Sequence, residues 1–463
     1  QSHAYDFPAD FFTARDWVIR RPAPDADEIA AVAQQLRAAK RPMIIAGGGV
    51  VYSDASGELE QLAEAVGAPV AETFGGKGAV QRRAWWQVGG IGLEGTPATN
   101  TLASEADVVL TVGSRLTDFA TGSHSLFADP EVRFASINVN VHDADRLGAV
   151  GIVSDAKRGL AALIEAITAG DGQADRSWRR RVEELSDAWA LERAHALNPD
   201  QLFDKTAVAA DSDVVTTTDA VLTQGQIIGV LQEHARPGDV IVAAAGGPPG
   251  DLQKVWDATD GRICHLEFGF SCMGYEIPAA MGVRMAHPDP SARITAFVGD
   301  GTFLMSPTEL LTAAQESLPI TVVIPENHGY QVIHRLQMFR TGREFGNEFR
   351  YRTQPLELAD AAGVEKAARL TGDYLAVDLT QIAAGLGARA SRVNTADELR
   401  DALNGTRGYQ GTVVIVVPAI PHADLPPAGV WWDVAPAEVS ELPTVPALRA
   451  EYEQDRQAQR WFG

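Results

Sequence analysis

Two doubly wound α/β domains, each built on a parallel sheet, are what this 463-residue sequence predicts. Three observations carry the prediction. Short apolar runs recur along the chain, each closing on a glycine-rich or polar turn and each followed by helical periodicity. The length, with 45% hydrophobic residues, 43 Gly and 25 Pro, exceeds what one core organises. Finally, Val298-Gly-Asp-Gly-Thr-Phe303 and Glu326-Asn-His-Gly329 bracket one strand-helix-strand unit that brings two oxygen ligands to the same sheet edge.

In chain order, residues 1–21 read as a linker entering a domain. Ile29, Val32, Leu36 and Ala39 recur at helical spacing across 28–40. Pro42 to Gly49 is a buried strand ending in a glycine turn. Gly47-Gly48-Gly49 could cradle a dinucleotide phosphate, but it lacks a full G-x-G-x-x-G, and a strand-end turn is the plainer reading. Leu59, Leu62, Ala63 and Val66 mark the next helix. Further short strands fall at 69–71, 107–113 and 134–138, so that 22–168 reads as one α/β domain. Residues 169–200 are polar and helical, a connector. A second α/β domain, 201–420, carries strands at 239–243, 294–298, 320–324 and 412–417. Its charged, aromatic stretch from Arg340 to Arg352 reads as an active-site loop or lid. The tail, 421–463, holds Pro426-Pro427 and Trp431-Trp432 and is expected to pack on another surface.

Net charge is −22 and the pI is near 4.8. That field makes nucleic acid and anionic membrane surfaces poor partners. No run of 18 apolar residues predicts a membrane span. No signal peptide is visible, so cytoplasm is the expected location. Cys264 and Cys272 form no disulfide or metal framework and are expected as reduced core thiols.

Asp300 and Asn327 stand 27 positions apart. The strand 294–298 ends in a glycine turn. Ser306 reads as the N-cap of the following helix, with Pro307 at its first position and Glu309 closing a capping box. The second strand then delivers Asn327 to the edge where Asp300 lies. Mg²⁺ takes about six oxygens, with few carboxylates, and accepts phosphate and water for the rest. Asp300 would give a carboxylate oxygen, Asn327 its amide oxygen and Gly329 its carbonyl. Gly299 and Gly301, with Thr302 beside them, would let a diphosphate approach the backbone.

GDG followed some 25 residues later by Asn resembles the fingerprint of the thiamine diphosphate (ThDP) enzymes. Upstream, Gly269-Phe-Ser-Cys-Met-Gly-Tyr-Glu-Ile-Pro-Ala-Ala280 resembles that family's GxGxMGxGLPAA segment. The resemblance implies Met273 as the apolar wedge under the bent cofactor and the Ser271 carbonyl against its aminopyrimidine amine. It also implies Gly246 and Gly247, in Ala245-Gly-Gly-Pro-Pro249, as the first diphosphate loop. Most members carry polar side chains there, so this chain is left with backbone contacts. The resemblance is to the acetohydroxyacid synthase type and covers essentially the whole chain. Residues 22–168 look like the central domain, with Thr73-Phe-Gly-Gly-Lys-Gly-Ala79, Gly92-Leu-Glu-Gly95 and Val112-Gly-Ser-Arg115 similar to its motifs. Residues 201–420 look like the diphosphate- and Mg-binding domain. The pyrimidine-binding domain, expected before Gln1, is not in the chain. The cofactor-activating glutamate belongs to that domain. A homodimer or homotetramer using a missing N-terminal segment, or a partner chain, is therefore expected to supply it.

Finer features point to one branch. Ala243 to Leu252, His265 to Glu276, Glu326 to Gln331 and Gly346 to Arg352 resemble members that act on a small polyhydroxylated cyclic diketone. This implies a ThDP- and Mg-dependent C–C hydrolase, opening a trihydroxycyclohexane-1,2-dione to 5-deoxyglucuronate in inositol catabolism. Tyr330, Gln331 and His334 are long and polar, which suits such a substrate better than pyruvate. His328, next to a metal ligand, is the candidate general acid/base; a histidine that only bonds backbone or phosphate is the alternative. His265 reads as part of a strand, while His334 and Arg335 could touch substrate hydroxyls or be solvated. Two other readings stand beside this one: a 2-oxo acid carboligase or decarboxylase of the acetohydroxyacid synthase type, and a non-catalytic cofactor-binding fragment.

Overall fold

The computed structural model describes residues 5–168, 176–205, 219–341, 344–353, 370–442, 444–457 and 459–460. Two six-stranded sheets, each wholly parallel, organise them. The first runs β3-β2-β1-β4-β5-β6, from β1 (Pro42–Ala46), β2 (Val70–Glu72), β3 (Gln87–Gly90), β4 (Val108–Val112), β5 (Arg133–Asn138) and β6 (Val150–Val153). The second runs β11-β12-β10-β9-β7-β8, from β7 (Val240–Ala243), β8 (Ile263–Leu266), β9 (Ile294–Phe297), β10 (Thr321–Glu326), β11 (Arg389–Arg392) and β12 (Val413–Pro418).

Helices cover both faces, so the central strands are apolar throughout: Met43, Ile44 and Ile45 in β1, and Val322, Val323 and Ile324 in β10, are fully buried. Each such side chain contributes about 1.5–3 kcal/mol on leaving water. Helix Ala26–Ala38 starts where Asp25 accepts from the Asp27 and Glu28 amides, and buries Ile29, Val32 and Leu36. Helix Ser56–Val66 stops at Gly67, left-handed at φ 68°. The strands absent from the sequence reading are mostly edge strands. β3 contains two glycines, and β11 is Arg-Ala-Ser-Arg, largely exposed.

One local reading is corrected. Ser306 does not cap the helix after GDG. It closes a six-residue helix, Asp300–Met305, that begins at Asp300 itself, while the next helix, Glu309–Gln315, starts from Thr308 without a side-chain cap. The expected core placement of Cys272 also fails, since that thiol is exposed. Cys264 is buried, and burial pushes it up to about 12.

The two lobes are joined tightly. Helix Arg176–Leu197 buries Trp178 and Val182 in the first lobe and Trp189 in the second, and Trp178 Nε1 donates to the Pro42 carbonyl at 3.0 Å. The tail crosses back over the first lobe. Ala428 accepts from Asn100 Nδ2 at 2.8 Å, and Trp432 Nε1 donates to Asp118 at 3.0 Å. The stretch expected as a lid begins in helix Gln331–Thr341. Residues 344–353 then fold back, so that Tyr330 N donates to Asn347 O and Phe349 N to His328 O, both at 2.9 Å. Residues 342–343 of that expected loop lie outside the described residues. No helix among the described residues is long and apolar enough to cross a membrane.

Candidate active site

Strand order in the second sheet reverses between β7 and β9, and ligands bind outside the carboxyl ends of strands at such a point. A cleft of about 340 Å³ opens there. The chain leaves β7 through Gly246, whose φ of 76° with ψ of −149° is open to glycine alone. Helix Gly247–Val255 follows, its N-terminus at the cleft. Pro248 and Pro249 lack N–H groups, so this turn offers an anion few backbone donors.

The exit from β9 supplies Gly299, Gly301 and Thr302 to the lining, and the exit from β10 supplies Asn327 and Gly329. Asp300 lies just beneath, only 2% exposed. Its Oδ1 accepts from Gly301 N at 2.6 Å and its Oδ2 from His328 N at 2.6 Å, with Gly329 N at 3.2 Å. Asp300 is thus held against the loop that carries Asn327. Burial, with the nearby Glu326 charge adding, pushes its carboxyl up to about 7. A cation beside it would reverse that shift. The Asp300 carboxylate, the Asn327 amide and the Gly329 carbonyl could offer an all-oxygen set of the kind that suits a hard divalent ion drawing its other ligands from phosphate and water. Among the described residues no cluster of three or more His, Cys, Asp or Glu offers a denser cage. Glycine is required on both sides of this corner. A Cβ on Gly301 would lie 2.8 Å from the Tyr330 ring, and one on Gly329 (φ 143°) would lie 2.4 Å from Asn347 O.

Ser271 and Met273 line the same cleft. Ser271 adopts φ 50°, a left-handed value uncommon for serine, and Met273 is 42% exposed. The loop is pinned at both ends. Phe268 stacks on Phe74 of the first lobe at 4.3 Å, and a Cβ on Gly274 would meet Ser306 at 2.8 Å.

His328, like Asp300, is not part of the cleft lining, and its ring stacks on Tyr374 at 4.1 Å. Burial, reinforced by Arg392 and Arg350, pushes it down to about 4, so it is neutral near pH 7. What it brings to the site is its amide N–H on Asp300. His265 lies in β8 and meets Tyr275 OH at 2.8 Å. His334 is buried beside Glu344 at 2.7 Å, and Arg335 pairs with Asp424 at 3.0 Å on the cleft wall.

The far wall was less visible in sequence. It comprises Gln224, Asp251, Gln331, Arg335, His422 and Asp424. Gln224 Nε2 donates to Asp251 at 2.6 Å. His422, left-handed at φ 60°, sets its Nε2 3.3 Å from buried Glu348. Burial would raise the Glu348 carboxyl, but His422 and Arg350 hold it well below the usual carboxylate range. Asp251 falls in the quoted Ala243–Leu252 segment without being singled out there, and His422 in no quoted motif; they come from separate elements, so only the fold reveals their common cleft.

Comparison with known proteins agrees with this geometry. Residues 29–163 match the central domain of thiamine pyrophosphate enzymes, and residues 244–376 match their C-terminal TPP-binding domain. The chain belongs to the thiamine diphosphate enzymes. It is 35% identical over 454 residues to a 3D-(3,5/4)-trihydroxycyclohexane-1,2-dione hydrolase of Bacillus cereus, covering 96% of this chain and 68% of that one. A Bacillus anthracis protein of the same name matches equally, again over 96% and 68%. Among solved structures, a putative thiamin diphosphate-dependent enzyme from Mycobacterium smegmatis superposes with a TM-score of 0.60 at 22% identity, over 90% of this chain and 69% of that one, and so shares the fold.

Proposed function

We propose that this protein is a ThDP- and Mg²⁺-dependent hydrolase of the C–C bond between adjacent carbonyls, acting on a trihydroxycyclohexane-1,2-dione and yielding 5-deoxyglucuronate in inositol catabolism. The observation that carries it is the cleft itself: a glycine and all-oxygen corner faces a wall of Gln224, Asp251, Arg335, His422 and Asp424. Such a wall offers a substrate rich in hydroxyls more hydrogen bonds than a 2-oxo acid with a small apolar side chain could use. The names of the Bacillus relatives point the same way.

Asp300, Asn327 and Gly329 would hold Mg²⁺. Gly246, Gly247, Gly299, Gly301 and Thr302 would face the diphosphate. Met273 and the Ser271 carbonyl would orient the two rings. Bound ThDP supplies an electron sink at the attacked carbonyl carbon. The protein's own tasks are to hold the diketone by its hydroxyls, admit one water and move that water's protons. A homodimer or homotetramer completed by a pyrimidine-binding domain belongs to the same reading, and the native mass of the holoenzyme checks it.

The decisive experiment supplies the holoenzyme with the dione and, separately, with pyruvate. Acid and aldehyde ends formed in equal amounts from the dione are expected. Carbon dioxide and acetolactate from pyruvate, with no acid from the dione, would overturn the reading. Asp300→Ala should abolish Mg²⁺-dependent ThDP binding in calorimetry.

A further inference from the structure

We propose that Asp251 is the proton-transfer residue of the cleft, poised by Gln224 to exchange a proton with water and substrate. Among the cleft-lining residues, the carboxyl and imidazole groups besides Asp251 are otherwise engaged. Asp424 is paired with Arg335 at 3.0 Å, and His422 faces the buried Glu348 charge. The Tyr330 ring packs edge-on against Phe349 at 5.5 Å. The His328 ring is turned onto Tyr374.

Asp251 stands in helix Gly247–Val255, one turn beyond the glycine loop at the cleft's corner. Its Oδ2 takes a 2.6 Å hydrogen bond from Gln224 Nε2. A neutral amide orients a carboxyl without fixing its charge, unlike the arginine that ties Asp424. Charged groups act on it from neighbouring elements, Lys254 on its own helix, Glu94 after β3 and Arg335 on helix Gln331–Thr341, while His422 and Asp424 of the tail line the same cleft. Those cations are themselves shared. Lys254 Nζ lies 3.8 Å and Arg335 3.6 Å from Glu94, and Lys254 donates to the Pro426 carbonyl at 2.9 Å. Burial is the largest influence on Asp251, opposed by Lys254, Arg335 and Gln224, and the outcome is a carboxyl pushed up to about 6. A group so placed is populated in both protonation states near neutrality, as a general base that later acts as acid must be.

The direction of transfer rests on the hydrolase reading. As the water oxygen bonds to one carbonyl carbon, Asp251 accepts one water proton. The bond between the two carbonyl carbons breaks, and its electron pair becomes the C–H bond of the aldehyde, with Asp251 returning the proton. The other water proton leaves with the carboxylic acid. Diketone and water are thereby converted to one acid and one aldehyde with nothing left over.

The test compares wild-type holoenzyme with Asp251→Asn, which keeps the shape and the Gln224 contact, and with Asp251→Glu. ThDP and Mg²⁺ affinity should change less than about twofold in the Asn variant, while kcat for the dione falls about 100-fold or more and the acid limb near pH 6 disappears. Asp251→Glu should recover part of kcat with a displaced limb. Independently of turnover, infrared difference spectra should show a protonated-carboxyl band that titrates near pH 6 in the wild type and is missing in Asp251→Asn. A band that persists in the variant, or unchanged kcat with the limb intact, overturns the assignment. If the wild type forms no acid from the dione, the hydrolase reading fails. The infrared titration then decides Asp251 by itself, a missing band upholding the poised carboxyl and a persisting one sinking it.

Discussion

Asp300 shows how a single residue joins motif to chemistry. The GDG pattern located it, and spacing placed it beside Asn327, because a crossover between parallel strands returns the chain to the same edge. Its burial and its backbone donors were not legible, since they depend on how residues 327–329 fold over it. With its carboxyl raised from 3.8 to about 7, the folded apo protein holds a proton between those pH values that the unfolded chain has released. Stability from this group is therefore greatest below the unfolded value and falls as pH rises toward 7. Cation binding must displace the same proton, so the thermal shift on adding Mg²⁺ and ThDP should grow from about pH 5.5 to about pH 7.5 and then level off. Asp300→Asn should flatten that dependence. A shift that is constant with pH in the wild type would remove Asp300 from the ligand set.

At the scale of elements, apolar runs and glycine turns marked the central strands well, because a strand covered on both faces has no polar alternative. Edge strands such as β11 carry charge against aggregation and leave no such mark. Caps were less certain. Ser306-Pro-Thr-Glu309 has the letters of a capping box, yet the capping box the structure forms is at Thr223. There Thr223 Oγ1 accepts from Gln226 N at 3.1 Å, and Gln226 Oε1 accepts from Thr223 N at 2.9 Å. This box starts helix Gln224–His234 and so fixes the residue that orients Asp251. Thr223→Ala should lower stability by about 1 kcal/mol in urea unfolding, with an unchanged slope. No loss at all would mean that packing of Ile227 and Ile228 alone holds the helix start.

Across the whole molecule, the first lobe reaches the cofactor cleft through helix Gly247–Val255. Lys77 Nζ donates to the Gln253 carbonyl at 3.1 Å and lies 3.8 Å from Glu72, while Gln253 Nε2 donates to Glu72 O at 2.5 Å, all of them buried. Removing one partner of a buried ion pair leaves the other charge unpaired, so Lys77→Met should cost about 3–5 kcal/mol, and adding Glu72→Gln should restore part of it. The loss should change little with salt, because the pair is shielded from solvent ions. A cost below about 1 kcal/mol would show the lobes are held by apolar packing alone.

The sequence by itself determined the parallel α/β lobes and brought Asp300 and Asn327 to neighbouring strand ends, because local spacing is converted by sterics and hydrogen bonding into one geometry, while the cofactor class came from the resemblance its motifs carry. Only the tertiary structure decided that His328 turns from the cleft while Asp251, Arg335 and His422 face it. Those side chains come from separate elements, and their meeting depends on how the helices and the tail pack around the second sheet, which no local pattern encodes.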